Sequence, residues 1–235
     1  MEKYITLEND YFQIRILKTL KSYGEEVLSY STEKMKEYLQ FFKESTYGKK
    51  IKGSFFTNGD DFFARIKELA PEATPSPWAK GCFYGGETQI LLDEDNLYER
   101  FHTLAHETFH LLFKRFVYER NNMERIIWLD ESLAGNFDGL TEKKIEKGEF
   151  VDIINRVSHT KKLPKMSDLD FKKNNVKTAD YNGYDLFKIV GRYLIETKSK
   201  DELLEYVNDK DRVIKDGNNI LNESLEYFKE KYNLD

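Results

Sequence analysis

Hydrophobic and polar positions alternate in two ways along the chain, first with the period of a strand and later with the period of a helix. Apolar and polar residues alternate over residues 5–7 and 12–16, which predicts one half-buried strand across this region. Residues 25–44 carry apolar positions at helical spacing, and 51–56 predicts a short strand before an Asn-Gly turn signal. The glycine-containing stretch 81–93 predicts an edge strand, because glycine weakens an interior strand but allows close approach by another backbone.

From about residue 97 the pattern is helical almost to the end of the chain. The predicted helices are 98–120, 124–139, 142–158, 182–197, 200–208 and 218–232. The sequence therefore predicts an α+β fold, with a small mixed sheet and a glycine-containing edge strand followed by a mainly helical lobe. The predicted division is an N-terminal α/β lobe over 1–97 and a helical lobe over 98–235, together forming one compact catalytic domain with a cleft between the lobes.

A His-Glu-x-x-His motif lies within the predicted helix 98–120. Residues four apart on a helix point the same way, so His106 and His110 can bind one metal ion. Glu107, one step round the helix, would lie beside that metal and could take a proton from water and pass it to a leaving amine. The motif predicts a zinc site with a built-in general base.

A catalytic zinc site with an open position needs a third protein ligand. Glu131 follows about twenty residues after the motif, in the segment Trp-Leu-Asp-Glu-Ser-Leu-Ala-Gly, and has apolar or small neighbours on its own helix face. A carboxylate on such a face is costly to bury without a cation, and zinc would supply one. Glu131 is the predicted third ligand, and Asp130 is the alternative if that residue faces inward.

The two motifs together resemble the gluzincin superfamily of zinc peptidases. His-Glu-x-x-His followed by Trp-Leu-x-Glu-x-x-Ala is similar to the thermolysin-like and aminopeptidase N families, which belong to the broader peptidase MA-like group. The resemblance covers about residues 80–200 and implies a zincin-like fold. It also implies that Glu131, the glutamate of the second motif, completes the zinc site of a metallopeptidase.

The resemblance also implies an oxyanion donor and a substrate path. The related families use a tyrosine ten residues before a helix leucine; Tyr184 has that offset from Leu194, and Tyr181 is the competing choice. Substrate is expected to lie extended along the edge strand near residues 85–90. The exopeptidase strand motif Gly-x-Met-Glu-Asn is absent in register, with Gly-Gly-Glu at 85–87 the nearest approach, so endo- and exopeptidase action both stay open.

Other candidate residues have simpler interpretations. His102 also forms a four-residue pair with His106, but Thr103 follows it where a general base would have to stand, so a buried supporting role is expected. His159 stands in a polar stretch and is expected at the surface. Cys82 has no base at catalytic spacing, and the aromatic residues of the helix that carries the motif are expected to pack in the core.

Composition narrows the functional classes. The net charge of −5 is against a general nucleic-acid binder, and no apolar run is long enough for a membrane span. A single cysteine precludes an intrachain disulfide, so a cytoplasmic protein is expected, or a secreted one if a leader was removed. The expected partner is a peptide or protein substrate. Two rival hypotheses are a degenerate zincin acting as a protein-binding module and a toxin-like protease with one protein target.

Overall fold

The computed structural model describes residues 3–75, 79–92 and 97–234, so residue 93 of the predicted edge strand lies outside the described part. The predicted mixture of α and β structure is confirmed, with a five-stranded mixed sheet in the N-terminal half and helices through most of the C-terminal half. The chain divides into two compact units, Met1–Leu111 and Leu112–Asp235. No helix of the described residues is long and apolar enough to cross a membrane.

The first unit is built on the sheet. Its strands are β1 (Tyr4–Glu8), β2 (Phe12–Leu17), β3 (Ile51–Phe56), β4 (Gly81–Tyr84) and β5 (Glu87–Leu91). Their order across the sheet is β1-β2-β3-β5-β4, with parallel pairing in the centre between β2, β3 and β5. The outer strands β1 and β4 pair antiparallel with β2 and β5.

The single strand predicted over residues 5–16 is wrong, because the chain turns at Asn9 and returns as a second strand. The Asn9 carboxamide oxygen accepts hydrogen bonds from the backbone N–H of Tyr11 at 3.0 Å and of Phe12 at 2.9 Å. An asparagine that binds the backbone two and three residues onward makes a tight turn. The polar residues between the two apolar runs are therefore a connection and not the exposed face of a strand.

The predicted edge strand over 81–93 is a hairpin. Gly85 and Gly86 have φ values of 58° and 81°, a left-handed backbone that favours glycine, and they join β4 to β5. β5 pairs with β3 on one side and with β4 on the other, so of these two strands β4 is at the edge of the sheet and β5 is not. The expectation that substrate lies along residues 85–90 is wrong for this reason, since the backbone of β5 already has strand partners on both sides.

Helices account for most of the remaining described residues. The α-helices are α1 (Lys21–Phe41), α2 (Gly59–Leu69), α3 (Leu97–Phe101), α4 (Thr103–Phe113), α5 (Ile127–Phe137), α6 (Leu140–Glu146), α7 (Glu149–Ser158), α8 (Gly183–Thr197), α9 (Lys200–Asn208), α10 (Lys210–Asp216) and α11 (Ile220–Tyr232). A π-helical segment, Lys114–Glu119, follows α4 directly. The predicted helix 98–120 is therefore interrupted at His102 and widened at its C-terminal end.

Capping residues decide where several of these helices begin. The predicted helices 182–197 and 200–208 match α8 and α9 closely, because Asn182 caps α8 and Ser199 forms a capping box with Glu202 on α9. The predicted helix 142–158 is split into α6 and α7 at Gly148, whose φ is 76°. The turn predicted from Asn-Gly after β3 is wrong, since Asn58 accepts from the Asp61 N–H at 2.8 Å and starts α2.

The core of the first unit lies between the sheet and the helices α1 and α4. β3 and α4 lie close together where Gly53 faces Leu104. A Cβ added at Gly53 would lie 3.4 Å from a Leu104 methyl group, which is ordinary van der Waals contact. Phe109 is fully buried, and its ring packs edge-on against Tyr38 of α1 at 5.2 Å between centroids. These contacts bury the apolar face of α4, as the aromatic pattern of this helix predicts.

In the second unit, α5 and α8 lie in close contact at Gly191. A Cβ on Gly191 would collide with the Ser132 carbonyl oxygen of α5 and with the Asn136 carboxamide. Asn136 in turn donates to the Ser132 carbonyl at 2.8 Å and to the Lys188 carbonyl at 3.2 Å, which ties the two helices together. The absence of a side chain at Gly191 therefore sets the spacing of this helix pair.

We predict that Gly191→Ala destabilises the protein by about 1–3 kcal/mol, because the added methyl group forces two backbones apart. The midpoint of urea unfolding, followed by circular dichroism, measures the effect. Gly135→Ala is the matched control: Gly135 lies within α5, and a Cβ there would have nothing within 4 Å, so alanine should be neutral or stabilising by up to about 1 kcal/mol. Equal effects of the two substitutions would contradict the close approach.

Candidate metal centre

The two histidines of the His-Glu-x-x-His motif lie one turn apart on α4, as their spacing predicts. The Nε2 atoms of His106 and His110 are 3.1 Å apart, and the ring planes meet at 86° with centroids 4.7 Å apart. Both side chains are half-buried. The helix thus brings two ring nitrogens to one point rather than spreading them over its surface.

Two ring nitrogens at this distance can share one proton as a hydrogen bond, or both can be deprotonated and bind one cation. Zinc binds imidazole nitrogen at about 2.0–2.1 Å, so two nitrogens in a tetrahedral site stand about 3.3 Å apart. The observed separation of 3.1 Å is close to that value. The histidine pair therefore fits a zinc ion without rearrangement of the helix.

Glu131 on α5 joins the two histidines. One side-chain ligand atom from each of His106, His110 and Glu131 lies within 4.8 Å of the other two. Glu131 is 6% exposed, so its carboxylate is buried. Two imidazoles and one carboxylate are the donor set of many catalytic zinc sites, so this group could hold such an ion.

Arg125 binds both acids of this region, and no pattern in the sequence predicts this role. Its Nε atom donates to Asp130, and its terminal nitrogen donates to Glu131 Oε1 at 2.7 Å. One planar guanidinium thus binds two successive carboxylates, both of which are buried. Burial lowers the pKa of Arg125, but the carboxylates of Asp130 and Glu131 outweigh that effect and raise it overall.

Because of this contact, Glu131 does not depend on a metal for its burial. From the sequence we expect a cation to offset the buried carboxylate and take zinc as its source, whereas Arg125 already provides a positive charge. The contact also accounts for Asp130, the alternative ligand, whose inward-facing carboxylate is bound by the same guanidinium. An arginine five residues before two adjacent acids is a weak signal, because Arg125 precedes α5 and shares no helical period with them.

Tyr118 fixes the start of α5 and with it the position of Glu131. Its hydroxyl group donates to the Ile126 carbonyl at 3.1 Å and accepts from the Ile126 N–H at 3.2 Å. Burial, followed by the charge of Asp130, raises the pKa of Tyr118 well above its usual value. The hydroxyl therefore stays protonated and can donate, and the residue before α5 is held by two hydrogen bonds.

Glu107 is half-buried and lies against the edge strand β4. A Cβ on Gly81 would lie 3.3 Å from Glu107 Oε1 and 2.6 Å from the Thr103 methyl group. Any side chain at Gly81 would therefore collide with α4. From the sequence we expect the glycines of this strand to permit close approach by another part of the chain. At Gly81 the part that approaches is α4, the helix that carries Glu107.

Cys82, the next residue on β4, is chemically quiet. Burial raises the pKa of its thiol to about 12, and the charge of Glu107 adds to that effect. The sulfur lies 3.7 Å from Gln89 Oε1 and packs against the apolar cluster of Phe56, Phe62, Ile66 and Leu91. A thiol that is protonated at neutral pH is not a nucleophile, which agrees with the interpretation from sequence.

The two tyrosines considered as oxyanion donors differ in what their side chains contact. Tyr184 lies in the first turn of α8, half-buried, with its ring near Phe171 at 6.5 Å and Phe187 at 5.8 Å between centroids. The Tyr181 hydroxyl donates to the Asn175 carbonyl at 2.7 Å. That donor is therefore already committed to the backbone, which is against Tyr181 as an oxyanion donor, and the role of Tyr184 stays a prediction.

The remaining candidates are His102, His159 and Glu87, and each has a contact that accounts for it without a catalytic role. His102 is buried, and its Nδ1 atom is 3.0 Å from the Tyr30 hydroxyl. His159 is exposed, and its ring Nδ1 lies 2.8 Å from the carbonyl of Asn155, four residues earlier. Glu87, the nearest approach to an exopeptidase glutamate, is bound by Arg65 through two hydrogen bonds at 3.2 and 2.8 Å. That carboxylate is therefore occupied by a cation of the chain itself.

Comparison with known proteins does not assign this chain to a family or an activity. No protein-family model matches the chain, and no curated protein matches it. A functional assignment therefore depends on the chemistry of the three converging residues, with Glu107 on the same helix as the two histidines.

We predict that Arg125→Ala lowers the free energy of unfolding by about 1–3 kcal/mol, because it removes the shared partner of two buried carboxylates. The loss should stay below that of a fully buried pair, since the Arg125 side chain is 45% exposed and water screens part of the interaction. Urea unfolding of the protein in chelator measures the difference. Arg212→Ala is the control: Arg212 is exposed and forms an ion pair with Asp216, four residues later on the same helix, at 3.8 Å, so its removal should cost about 0.5 kcal/mol or less. Equal losses would show that the carboxylates do not need Arg125.

Proposed function

We propose that the chain is a zinc-dependent peptidase with a zincin-like fold of the gluzincin kind, in which His106, His110 and Glu131 hold the metal. The observation that supports this most directly is the convergence of one ligand atom from each of the three residues within 4.8 Å. Two neutral imidazoles and one carboxylate suit zinc better than the hard cations calcium and magnesium, which prefer oxygen ligands alone. The resemblance of the two motifs to gluzincin peptidases points the same way.

Bound zinc would supply a Lewis acid that polarises a peptide carbonyl and makes water acidic enough to attack at neutral pH. Glu107 would receive the proton of the attacking water on a carboxylate oxygen and deliver it to the nitrogen of the leaving amine. Glu107 lies on α4 one residue after His106. It would therefore stand beside the metal ligands without being a ligand itself. Its half-buried position against Gly81 limits the directions in which the carboxylate can turn.

Two further elements of the chain would act on the substrate. The hydroxyl group of Tyr184 would donate a hydrogen bond to the oxygen on which negative charge develops, as the corresponding tyrosine does in the families that the sequence resembles. A substrate backbone would pair with the outer edge of β4, which has no strand beside it among the described residues; Gly81 is the point at which this strand approaches Glu107. The expected substrates are peptides or proteins, bound in an extended conformation.

The metal site is tested by metal content. We expect about one zinc per chain in the protein as purified or after incubation with zinc at neutral pH, measured by elemental mass spectrometry. Glu131→Gln keeps the shape of the side chain and an oxygen that can accept from Arg125, but weakens a charged ligand, so zinc content should fall sharply. Glu124→Gln, an exposed residue just before α5, is the control and should leave zinc unchanged. A wild-type protein that takes up no zinc would contradict the proposed site.

The catalytic role is tested separately by Glu107→Gln. We expect zinc to be retained while hydrolysis of a peptide library falls by about 10²–10⁴-fold, because only the base is removed. Glu119→Gln, an exposed residue of the π-helical segment, should keep full activity. Full activity of Glu107→Gln would overturn the mechanism, and a zinc-loaded wild type that cleaves no peptide would favour a binding module. Blocking the peptide termini separates endopeptidase from exopeptidase action.

A further inference from the structure

The three residues that would hold zinc differ in how their side chains are kept in place. His106 and His110 lie one turn apart on α4, so the helix itself sets the distance between their rings. Glu131 stands on another helix, α5, and its longer side chain has to be held by a different group. A ligand that is ordered before the metal arrives binds it more tightly, because less conformational entropy is lost on binding. The group that holds the Glu131 carboxylate therefore contributes to the metal site without touching the metal.

Arg125 holds the Glu131 carboxylate as one half of a fork of two donors. A terminal nitrogen donates to Glu131 Oε1 at 2.7 Å, and Nε donates to Asp130 on the residue before. Both donors belong to one rigid planar guanidinium, so each carboxylate restricts where the other can lie. Glu131 is 6% exposed and Asp130 is 2% exposed, so solvent competes little for these charge-assisted hydrogen bonds. The orientation of Glu131 is thus fixed by a residue that precedes α5.

The backbone at the base of Arg125 is fixed as well. Ile126, the next residue, donates its N–H to the Tyr118 hydroxyl at 3.2 Å, and its carbonyl accepts from that hydroxyl at 3.1 Å. Tyr118 is itself buried, in the π-helical segment Lys114–Glu119. Arg125 is therefore anchored both at its backbone and at its guanidinium, although its side chain is 45% exposed. That exposure also means that a smaller side chain at this position opens no cavity in the core.

Asp130 makes the charge of this group suitable for a cation. A guanidinium bound to Glu131 alone would cancel the charge that an acidic ligand offers to a metal ion. With Asp130 included, two carboxylates and one guanidinium sum to a charge of −1. The two histidines would add no charge, since imidazole binds a metal in its neutral form. Arg125 can thus hold Glu131 firmly while negative charge is left for the ion.

We propose that Arg125 is a positioning residue of the metal site, which holds Glu131 where it binds zinc and uses Asp130 as its second anchor. Arg125 acts through Glu131 and does not touch the metal. Hydrogen-bonding partners of metal ligands typically contribute about 10–100-fold to metal affinity. This inference rests on the proposed zinc site and gives Arg125 a role in zinc affinity that is distinct from its role in stability.

The test is Arg125→Lys, which keeps the positive charge and loses the fork of the guanidinium. A single ammonium group cannot bind both carboxylates in the same geometry. We expect the Kd for zinc, measured at neutral pH by competition with a chromophoric chelator, to rise by about 10–100-fold. Because the charge is conserved, this change reports the position of Glu131 and not the electrostatic balance of the site. The visible absorption of the cobalt-substituted protein should change as well, since it depends on the ligand geometry.

Two controls separate positioning from general effects of a substitution. Arg212→Lys makes the same exchange at an exposed arginine of α10 and should leave the Kd for zinc unchanged. Val207→Ala truncates a fully buried side chain of α9, so it lowers stability, and it should also leave the Kd unchanged. A rise in Kd for Val207→Ala as large as that for Arg125→Lys would show that lost stability explains the effect, and would overturn the positioning role.

A double-mutant cycle shows whether Arg125 acts through Glu131. In the Glu131→Gln background the charged ligand is already lost, so adding Arg125→Lys should change the Kd for zinc little further. If the two substitutions instead multiply their effects, Arg125 acts by another route and the proposal is wrong.

These binding measurements are independent of peptide hydrolysis. An unchanged Kd for zinc in Arg125→Lys, with a wild type that cleaves peptides, would overturn the positioning role and leave the peptidase standing. A raised Kd, with a zinc-loaded wild type that cleaves no peptide, would support the positioning role and overturn the peptidase. A wild type that takes up no zinc would overturn both.

Discussion

The distance between β4 and α4 is set by the absence of a side chain at Gly81. No larger residue fits there, because its Cβ would meet the Thr103 methyl group and the Glu107 carboxylate. Two features depend on this contact: the carboxylate of Glu107 lies against the edge strand β4, and Cys82 stands on the opposite face of that strand, against the apolar cluster of Phe56, Phe62, Ile66 and Leu91. A single glycine therefore brings the proposed general base up to the strand along which the substrate is proposed to lie.

Charge is distributed in the protein so that buried groups are matched locally. Asp130 and Glu131 share Arg125, and Glu87 is held by Arg65. Both arginines use the fork of the guanidinium, which lysine could not reproduce with the same geometry.

The sequence predicts the residues whose role follows from local periodicity and fails where a partner from elsewhere decides. His106 and His110 are predictable because a spacing of four on a helix fixes their relation, and α8 and α9 because Asn182 and Ser199 are efficient caps. Asn58 and Asn9 carry the same chemistry, but whether an asparagine caps a helix or turns a chain depends on what the following residues pack against. The helix α10, seven residues long, is too short to show a period.

The site shows the same limit. Glu131 is indicated by its motif and its apolar neighbours, whereas no pattern in the sequence connects Arg125 to the acids that it binds. The hairpin that makes β5 an interior strand is equally hard to predict, because two adjacent glycines signal flexibility but do not say that the chain reverses. Long-range pairing, which decides both cases, leaves little trace in a single sequence.

The position of Arg125 has a consequence for how the protein is made. Many small metal domains stay unfolded until their metal arrives, because the ligands have no other source of compensating charge. Here the chain encodes a counter-charge for Glu131, the proposed acidic ligand, six residues upstream of it. Under the proposed function, synthesis and zinc loading would be separate events: the polypeptide would mature in a compartment poor in zinc, persist there in an inactive form, and become active later when the ion alone is supplied.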